Sequence, residues 1–443
     1  VGRQTQRGAE WGEGWNGHNK YRIMSKIAFL TLGCKLNYAE TSTYERGFVK
    51  AGLEVVPWRE KADVYLINTC SVTAMADTKS RNLIRKCHRV NPEALVIVTG
   101  CSAQLREKAI TAIEGVTRIF GASEKGSVVG ATLELLGLQQ SGSTCGGEIN
   151  DMFGAYSSGE RTRSFLKVQD GCNNYCNYCT VPYARGESRN IPIAECVKYA
   201  NEIAAEGIRE IVLTGVNTGD FGRSTGESFL DLLKALNEVP GIERFRISSI
   251  EPNLLTDDII NWIASGKTKF QPHFHIPLQS GSDSLLKAMG RHYDTRFFAE
   301  KIRSIREALE SPGKARVFFG IDLMAGLPGE SEELFRESYE FVEKLHPAFI
   351  HVFPYSRRPG TPAAEMPGQV PEAVKAERVA KLEELCGRLH DEFISANKGL
   401  TERVLWESTN RKGMMEGYTG NYIRLTRPFD AERVGMLEEV TIQ

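Results

Sequence analysis

Short apolar runs alternate with longer amphipathic stretches twice along this chain, and this alternation constrains the fold more than any other feature. In the first block the apolar runs are IAFLTL, VYLIN and LVIVT. Continuous apolar runs are typical of parallel strands buried on both faces, and their alternation with helices predicts helices on both sides of the sheet. We therefore expect an N-terminal doubly wound α/β domain over residues 24–138.

A second alternation occupies residues 161–371. Six runs there have strand character: SFLKVQ, EIVLTG, FRISSI, FHIPLQ, VFFGIDLMAG and FIHVFPY. The first five are each followed by a helical segment. A closed barrel of this kind needs eight strands, so the pattern predicts a partial (βα)6 barrel.

The remaining segments have simpler patterns. Residues 1–23 lack the apolar middle of a signal peptide and are expected to lie outside the fold. Residues 139–160 are rich in Gly and Ser and are expected to be a linker. Residues 372–397 form one strongly helical stretch. Residues 398–443 contain four short alternating runs separated by Gly, Asn and Pro, which predict a small all-β barrel.

Composition restricts the compartment and the partners. The chain has ten cysteines, a formal net charge of −1 and no apolar run long enough to span a bilayer. We expect a cytoplasmic protein with no membrane partner, where clustered cysteines bind metal more often than they form disulfides. A nucleic-acid site would have to be a local basic patch.

Three cysteines follow the first barrel strand with the spacing C-x3-C-x2-C: Cys172, Cys176 and Cys179. Barrel enzymes place their chemistry at the carboxyl ends of the strands. Three thiolates suit three irons of a 4Fe-4S cluster and leave the fourth iron open to an outside ligand. The alternatives are free cysteines or a zinc site, although structural zinc takes four ligands and no fourth Cys or His lies close by.

A second set of cysteines follows the three strands of the N-terminal domain, in TLGC, INTC and VTGC. These are Cys34, Cys70 and Cys101. If the strands are neighbours, the three thiols converge at one edge of the sheet, and the small residues Gly33 and Gly100 permit close approach of backbone. From the residues alone, the alternative is that these cysteines only pack in the core.

The C-x3-C-x2-C motif in this setting resembles the radical SAM superfamily. The flanking segments PYARGESRN, HIPLQSGSD, AMGRHYD, DLMAGLPGE and FPYSRRPGT resemble its methylthiotransferase branch, from Ile27 to near the end of the chain. The resemblance implies two 4Fe-4S clusters, the second held by Cys34, Cys70 and Cys101. It implies that S-adenosylmethionine (SAM) binds the open iron of the first cluster and yields a radical, with Cys172, Cys176 and Cys179 as the catalytic ligands. Both clusters should then face one cavity.

The same resemblance implies further contacts and partners. It implies an electron donor such as flavodoxin or ferredoxin and leaves the sulfur donor unknown. Candidate SAM contacts lie at or after the carboxyl ends of barrel strands, where their polar groups can hold the nucleoside and amino-acid parts of the cofactor. They are Gly215, Asn217, Glu251, Gln279, Ser280, Arg291 and Asp322.

Within this branch the substrate is an adenosine next to the tRNA anticodon or an aspartate of a ribosomal protein. The segment TLGCKLNYAET resembles the enzymes that act on tRNA carrying threonylcarbamoyladenosine at position 37, and residues 398–443 resemble a TRAM domain. Isopentenyladenosine tRNA and the ribosomal protein stay as alternatives, and a non-catalytic, metal-stabilised RNA-binding protein is a third. Candidate substrate contacts are Lys79, Arg81 and Arg85 on a basic helix, which is otherwise a solvated face, and Tyr183, Arg185, Arg357 and Arg358 in loops expected to be exposed.

Overall fold

The computed structural model describes residues 24–138, 148–149, 152–159 and 162–443, and the expected leader lies outside these ranges. The described chain contains a parallel sheet domain, a partial barrel and a small antiparallel sheet. None of its helices combines the length and the apolar composition that a membrane crossing requires.

The N-terminal domain is a five-stranded parallel sheet with the order β2-β1-β3-β4-β5. Its elements are β1 (Lys26–Thr31), α1 (Lys35–Lys50), β2 (Glu54–Val55), β3 (Val64–Thr69), α2 (Ala74–Val90), β4 (Leu95–Gly100), α3 (Cys101–Leu105), α4 (Glu107–Thr111), β5 (Val116–Phe120) and α5 (Val128–Leu135). Alternate strand residues point to opposite faces: Ile27 packs beneath α1 and α5, and Ala28 packs beneath α2. The predicted doubly wound domain is confirmed.

Two edge strands of this sheet, β2 and β5, were not predicted. Strand β2 is two exposed residues long, and the middle of β5 exposes Thr117 and Arg118. Neither strand is a continuous apolar run, because each has a neighbour on one side only.

The described part of residues 139–160 does more than connect two domains. It contains β6 (Glu148–Ile149) and β7 (Met152–Phe153), and residues 152–157 are buried. Phe153 stacks on Tyr44 of α1 with ring centroids 5.0 Å apart. The Thr43 hydroxyl donates to the carbonyl of Tyr156 over 3.1 Å. Apolar Met152, Phe153 and Tyr156 thus hold this stretch between α1 and the barrel, and the expected linker residues 139–147 lie outside the described residues.

The partial barrel is built from two three-stranded parallel sheets. They have the orders β12-β11-β8 and β13-β14-β15 and are joined by a parallel bridge between Phe245 and Phe270. The six main strands match the predicted (βα)6 pattern. The elements are β8 (Arg163–Lys167), β9 (Gln169–Asp170), α6 (Val181–Arg185), β10 (Arg189–Asn190), α7 (Ile193–Ala205), β11 (Glu210–Thr214), α8 (Phe229–Asn237), β12 (Arg244–Ile247), α9 (Asp257–Ala264), β13 (His273–His275), α10 (Asp283–Ala288), α11 (Thr295–Leu309), β14 (Phe318–Ala325), α12 (Glu332–Leu345), β15 (Phe349–Pro354) and α13 (Pro362–Glu365).

A long helix leads from the barrel to the C-terminal sheet. This helix is α14 (Glu372–Ala396), and the sheet is antiparallel with the order β18-β17-β16-β19, formed by β16 (Thr401–Trp406), β17 (Met414–Tyr418), β18 (Arg424–Pro428) and β19 (Leu437–Thr441). Two barrel arginines dock this sheet through its main chain. Arg246 donates to the carbonyls of Thr419 and Gly420 over 2.8 and 2.7 Å, and Arg244 donates to the carbonyl of Tyr418 over 3.1 Å.

Candidate active site

The C-x3-C-x2-C cysteines lie in the loop between β9 and α6. Backbone amides point at two of the sulfurs: Asn174 donates to Cys172 Sγ over 3.5 Å and Val181 donates to Cys179 Sγ over 3.4 Å. Burial raises the pKa of Cys172 to about 11 and that of Cys179 to about 12. These thiols are therefore protonated at neutral pH in the metal-free protein, and binding a metal must release their protons.

Arg291 and Glu251 form a buried ion pair beside this loop. Arg291 Nη2 donates to both carboxylate oxygens of Glu251 over 2.6 Å, and Nη1 donates to Cys176 Sγ over 3.2 Å. The hydroxyls of Tyr178 and Tyr293 also contact the guanidinium. The arginine thus places positive charge on a sulfur that must carry negative charge as a metal ligand.

The second set of cysteines lies at the ends of three adjacent strands, as the sequence predicts. Cys34 precedes α1, Cys70 follows β3 and Cys101 begins α3. The pKa of Cys70 is raised to about 11 by burial first and by the nearby Cys101 and Cys34 thiols next. The three thiols are therefore close enough to influence one another's charge.

The backbone around these cysteines is packed so closely that two glycine positions have no room for a side chain. Gly33 has a φ of +101°, and a Cβ there would lie 2.8 Å from Cys70 Sγ. Gly100 has a φ of +96°, and a Cβ there would lie 2.3 Å from the Thr69 carbonyl oxygen. Over the described ranges, no three Cys, His, Asp or Glu side chains surround a single metal ion. An iron–sulfur cluster binds each thiolate through a different iron, and three cysteine thiolates are donors of the kind that such a cluster takes.

A buried network of charged residues joins the two cysteine sites. Glu40 of α1 receives hydrogen bonds from Lys125 and Lys167, each over 2.8 Å. Arg185, at the end of α6, bonds Asp170 over 2.8 Å and Asn37 Oδ1 over 2.6 Å. Burial would raise the pKa of Glu40, but the charges of Lys125, Lys167 and Arg185 hold it well below its usual range. The network was not predicted, although the i, i+3 spacing of Asn37 and Glu40 places both on one face of α1.

The two cysteine loops also meet through their helices. Helix α3, which begins at Cys101, packs against α6, which follows Cys179 by one residue. Asn37 fixes the Cys34 loop by donating to the carbonyls of Leu32 and Thr69 over 2.7 and 2.9 Å. The two sites are therefore held at a set separation by direct packing.

A cavity of about 1240 Å³ lies between the N-terminal domain, the barrel interior and the C-terminal sheet. Its walls include aromatic rings from all three parts, among them Tyr38, Phe318 and Tyr422. Cys34 lines it, whereas Cys172, Cys176 and Cys179 are not among its lining residues. Of the six cysteines only Cys34 lines this cavity, so the expectation that both sites face one cavity is not met here.

Two predictions about exposed arginines are wrong. Arg185 is 3% exposed because it completes the network with Glu40 and Asp170, and Arg358 is 3% exposed because it pairs with Asp77 over 2.5 Å. Tyr183 and Arg357 are exposed as predicted, and so are the helix residues Lys79, Arg81 and Arg85.

The structure adds one aromatic residue that the motif analysis passed over. Tyr175 lies within the cysteine loop, is 49% exposed and packs against Tyr183 with centroids 5.8 Å apart. Its φ of +45° is unusual for a non-glycine residue. Its position between two cysteines of the motif is the sequence feature that could have indicated it.

The expected cofactor contacts divide into two groups. Glu251, Arg291 and Asn217 lie together, with Asn217 Oδ1 accepting from the Glu251 amide over 3.2 Å, and Gly215 is beside Gln169. Because Arg291 already binds Glu251, its fork is not free for a ligand carboxylate. The others are held elsewhere: Ser280 by Ser338, Asp322 by His275 over 2.8 Å, and Gln279 by main-chain pairing with Leu323.

Comparisons with known proteins assign both halves of this site. Residues 26–121 match the uncharacterized protein family UPF0004, and residues 166–342 match the radical SAM superfamily. The threonylcarbamoyladenosine tRNA methylthiotransferase MtaB of Bacillus subtilis is 38% identical over 95% of this chain and 94% of its own. The chain belongs to the radical SAM methylthiotransferase family.

Other members of the family are also close over the full length. MtaB of Aquifex aeolicus is 36% identical over 94% of this chain and 100% of its own. The tRNA-2-methylthio-N(6)-dimethylallyladenosine synthase of Carboxydothermus hydrogenoformans is 32% identical over 86% of this chain and 88% of its own. Membership of the radical SAM methylthiotransferase family implies a 4Fe-4S cluster and SAM, and the loop of Cys172, Cys176 and Cys179 has the residues to hold that cluster.

Solved structures support the fold of this family member. The radical S-adenosylmethionine methyltransferase TsrM from Kitasatospora setae, with cobalamin and a [4Fe-4S] cluster bound, aligns with a TM-score of 0.55 and 15% identity. The alignment covers 77% of each chain. At this identity the likeness concerns the fold alone.

Proposed function

We propose that this enzyme converts N6-threonylcarbamoyladenosine at position 37 of tRNA to its 2-methylthio derivative. One observation carries the proposal: two sets of three cysteines lie in loops whose helices α3 and α6 pack together. Five MtaB relatives named for this substrate are 32–38% identical to the chain, whereas three dimethylallyladenosine synthases are 30–32% identical. Dimethylallyladenosine tRNA is therefore the second candidate substrate.

The proposal gives each cysteine set one cluster. Cys172, Cys176 and Cys179 hold the cluster that binds SAM, and Cys34, Cys70 and Cys101 hold an auxiliary 4Fe-4S cluster. When bound, the first cluster and SAM supply a radical able to activate an aromatic C–H bond. Glu251 and Arg291 lie beside the loop of the first cluster and orient the SAM bound there, with Asn217 and Gly215 next to them. An electron donor such as flavodoxin or ferredoxin and a cytoplasmic location are part of the same proposal.

The protein's own residues hold the thiols for this chemistry. The Asn174 and Val181 amides and Arg291 donate hydrogen bonds to the three sulfurs of the first set, which favours their thiolate forms. Asn37 and Arg185 hold the Cys34 loop against the barrel. These contacts keep the two groups in place.

Mass spectrometry of tRNA nucleosides tests the substrate. In cells lacking the gene, 2-methylthio-threonylcarbamoyladenosine is expected to vanish, and it is expected to return when the gene is restored. Loss of the 2-methylthio-dimethylallyl nucleoside instead would establish the second candidate. No change in either nucleoside, in a strain without a second enzyme of this family, would reject both and favour a ribosomal-protein substrate.

Helix α2 is the proposed backbone-binding surface for tRNA. Lys79, Arg81 and Arg85 are exposed there. The ion pair between Asp77 and Arg358 joins the first turn of α2 to the barrel loop that carries exposed Arg357. Basic side chains in this arrangement can neutralise several phosphates along one strand.

Replacing Lys79, Arg81 and Arg85 by Gln is expected to weaken tRNA binding and to make that binding less sensitive to salt. Each lost phosphate contact should reduce the slope of log K against log salt by about 1. The measurement is the tRNA Kd by fluorescence anisotropy over a range of salt concentrations. The matched control replaces Arg303, Arg336 and Lys344, which are exposed on α11 and α12. Equal slopes for the two triple variants would rule out α2 as the RNA surface.

A further inference from the structure

Lys35 lies in the wall of the cavity and is paired with no residue that the structure describes. It is the first residue of α1, directly after Cys34, and it lines the cavity between the three parts of the protein. Over the described residues, its ammonium has no hydrogen bond or ion pair. A lysine at the start of a helix is also disfavoured by the helix dipole, and no acidic residue lies in this first turn.

The other charged groups near Lys35 are already satisfied. Arg246 binds Glu210 over 2.7 Å, and Arg163 binds Glu407 over 2.5 Å. The nearby carboxylate, Asp322, accepts from His275 over 2.8 Å. The region of the cavity around Lys35 therefore has one cationic donor that no described residue pairs, which favours an anionic ligand.

The rest of the cavity suits a nucleobase. Phe165, Phe318, Phe349 and Tyr38 contribute aromatic walls, and protein sites for unpaired bases stack them on such rings. The volume of about 1240 Å³ is large enough for a nucleoside with a substituent on its base. Cys34, a proposed ligand of the auxiliary cluster, lines the same space. A base held here would lie beside that cluster.

We propose that Lys35 binds the carboxylate of the threonylcarbamoyl group and so selects this substrate over one with an apolar dimethylallyl group. The inference rests on the proposed function and names a specificity-determining residue for it. SAM also combines adenine with a carboxylate. However, SAM also carries a sulfonium and an ammonium, and the positive charges of Lys35, Arg163 and Arg246 disfavour both groups.

The experiment compares three short anticodon stem-loop RNAs that differ only at the modified adenosine: threonylcarbamoyl, its methyl ester, and dimethylallyl. For each protein, the Kd for the ester RNA divided by the Kd for the acid RNA measures the preference for the carboxylate. This ratio does not depend on how much cluster the protein carries. We expect wild type to prefer the acid by about tenfold or more, as for a charge-assisted hydrogen bond. Lys35→Gln is expected to lose that preference, and Lys35→Arg to retain most of it. Lys50→Gln, an exposed lysine at the other end of α1, is expected to behave as wild type.

The possible failures are distinguishable. If Lys35→Gln keeps the full preference for the acid RNA, or if it weakens SAM binding and leaves the RNA ratio unchanged, the assignment of Lys35 is overturned. If wild-type enzyme with SAM and reductant leaves the threonylcarbamoyl RNA unmodified and modifies the dimethylallyl RNA, the proposed function itself fails.

Discussion

Replacing Cys34, Cys70 and Cys101 by Ala is expected to remove about half of the bound iron and acid-labile sulfide, because two clusters of equal size are proposed. SAM cleavage to 5′-deoxyadenosine should persist, since Cys172, Cys176 and Cys179 are untouched. Insertion of the methylthio group should be abolished. Iron and sulfide analysis, with chromatography of the SAM products, measures all three effects.

The complementary variant and a matched control complete this test. Replacing Cys172, Cys176 and Cys179 should remove the other half of the iron and all SAM cleavage. Cys87→Ala should keep full iron content, because this thiol lies on the buried face of α2, near the end of the helix that is farther in sequence from Cys70. Full iron content in the first triple variant would contradict the assignment of an auxiliary cluster to those cysteines.

Replacing Glu40 by Ala is expected to destabilise the protein strongly. Glu40 is fully buried, and its removal leaves Lys125, Lys167 and Arg185 with Asp170 as their remaining acidic partner in the network. Breaking a buried ion pair by removing one partner costs about 3–5 kcal/mol. Thermal unfolding should show a melting temperature lower by on the order of 10 °C. Glu54→Ala, on exposed β2, is the control and should change it little.

The same network makes the stability of the folded protein depend on pH in a defined direction. Because the surrounding cations overcome the effect of burial, the pKa of Glu40 is lower in the folded than in the unfolded protein. Its contribution to stability is therefore complete above the unfolded pKa, near 4.3, and is lost as the pH falls towards the folded value. The difference in melting temperature between wild type and Glu40→Gln should narrow below about pH 4. A difference that stays constant from pH 7 to pH 3 would contradict this account.

The six cysteines were predictable because their signals are local. Cys172, Cys176 and Cys179 form a compact motif, and Cys34, Cys70 and Cys101 each follow an apolar run whose place in a parallel sheet can be inferred from sequence. The central strands and the four C-terminal strands have equally local patterns. Edge strands β2 and β5 lack them, because a strand with one neighbour need not be apolar.

The charge network was not predictable by the same means. Glu40 and Lys167 are 127 residues apart in the chain and meet only through domain packing. Charged residues are normally exposed, so Arg185 and Arg358 were assigned to the surface for a sound general reason that fails here. The direction of Lys35 into the cavity likewise depends on how α1 lies against the barrel.

The docking of the C-terminal sheet has a consequence for how this family can diverge. Arg244 and Arg246 of the barrel bind main-chain carbonyls of residues 418–420, and every amino acid supplies a carbonyl. Substitutions at residues 418–420 can therefore leave these contacts intact. Glu407, Asn421 and Tyr422 are more restricted, because their side chains also bond the barrel. The joint should thus tolerate change at the first set of positions and resist it at the second.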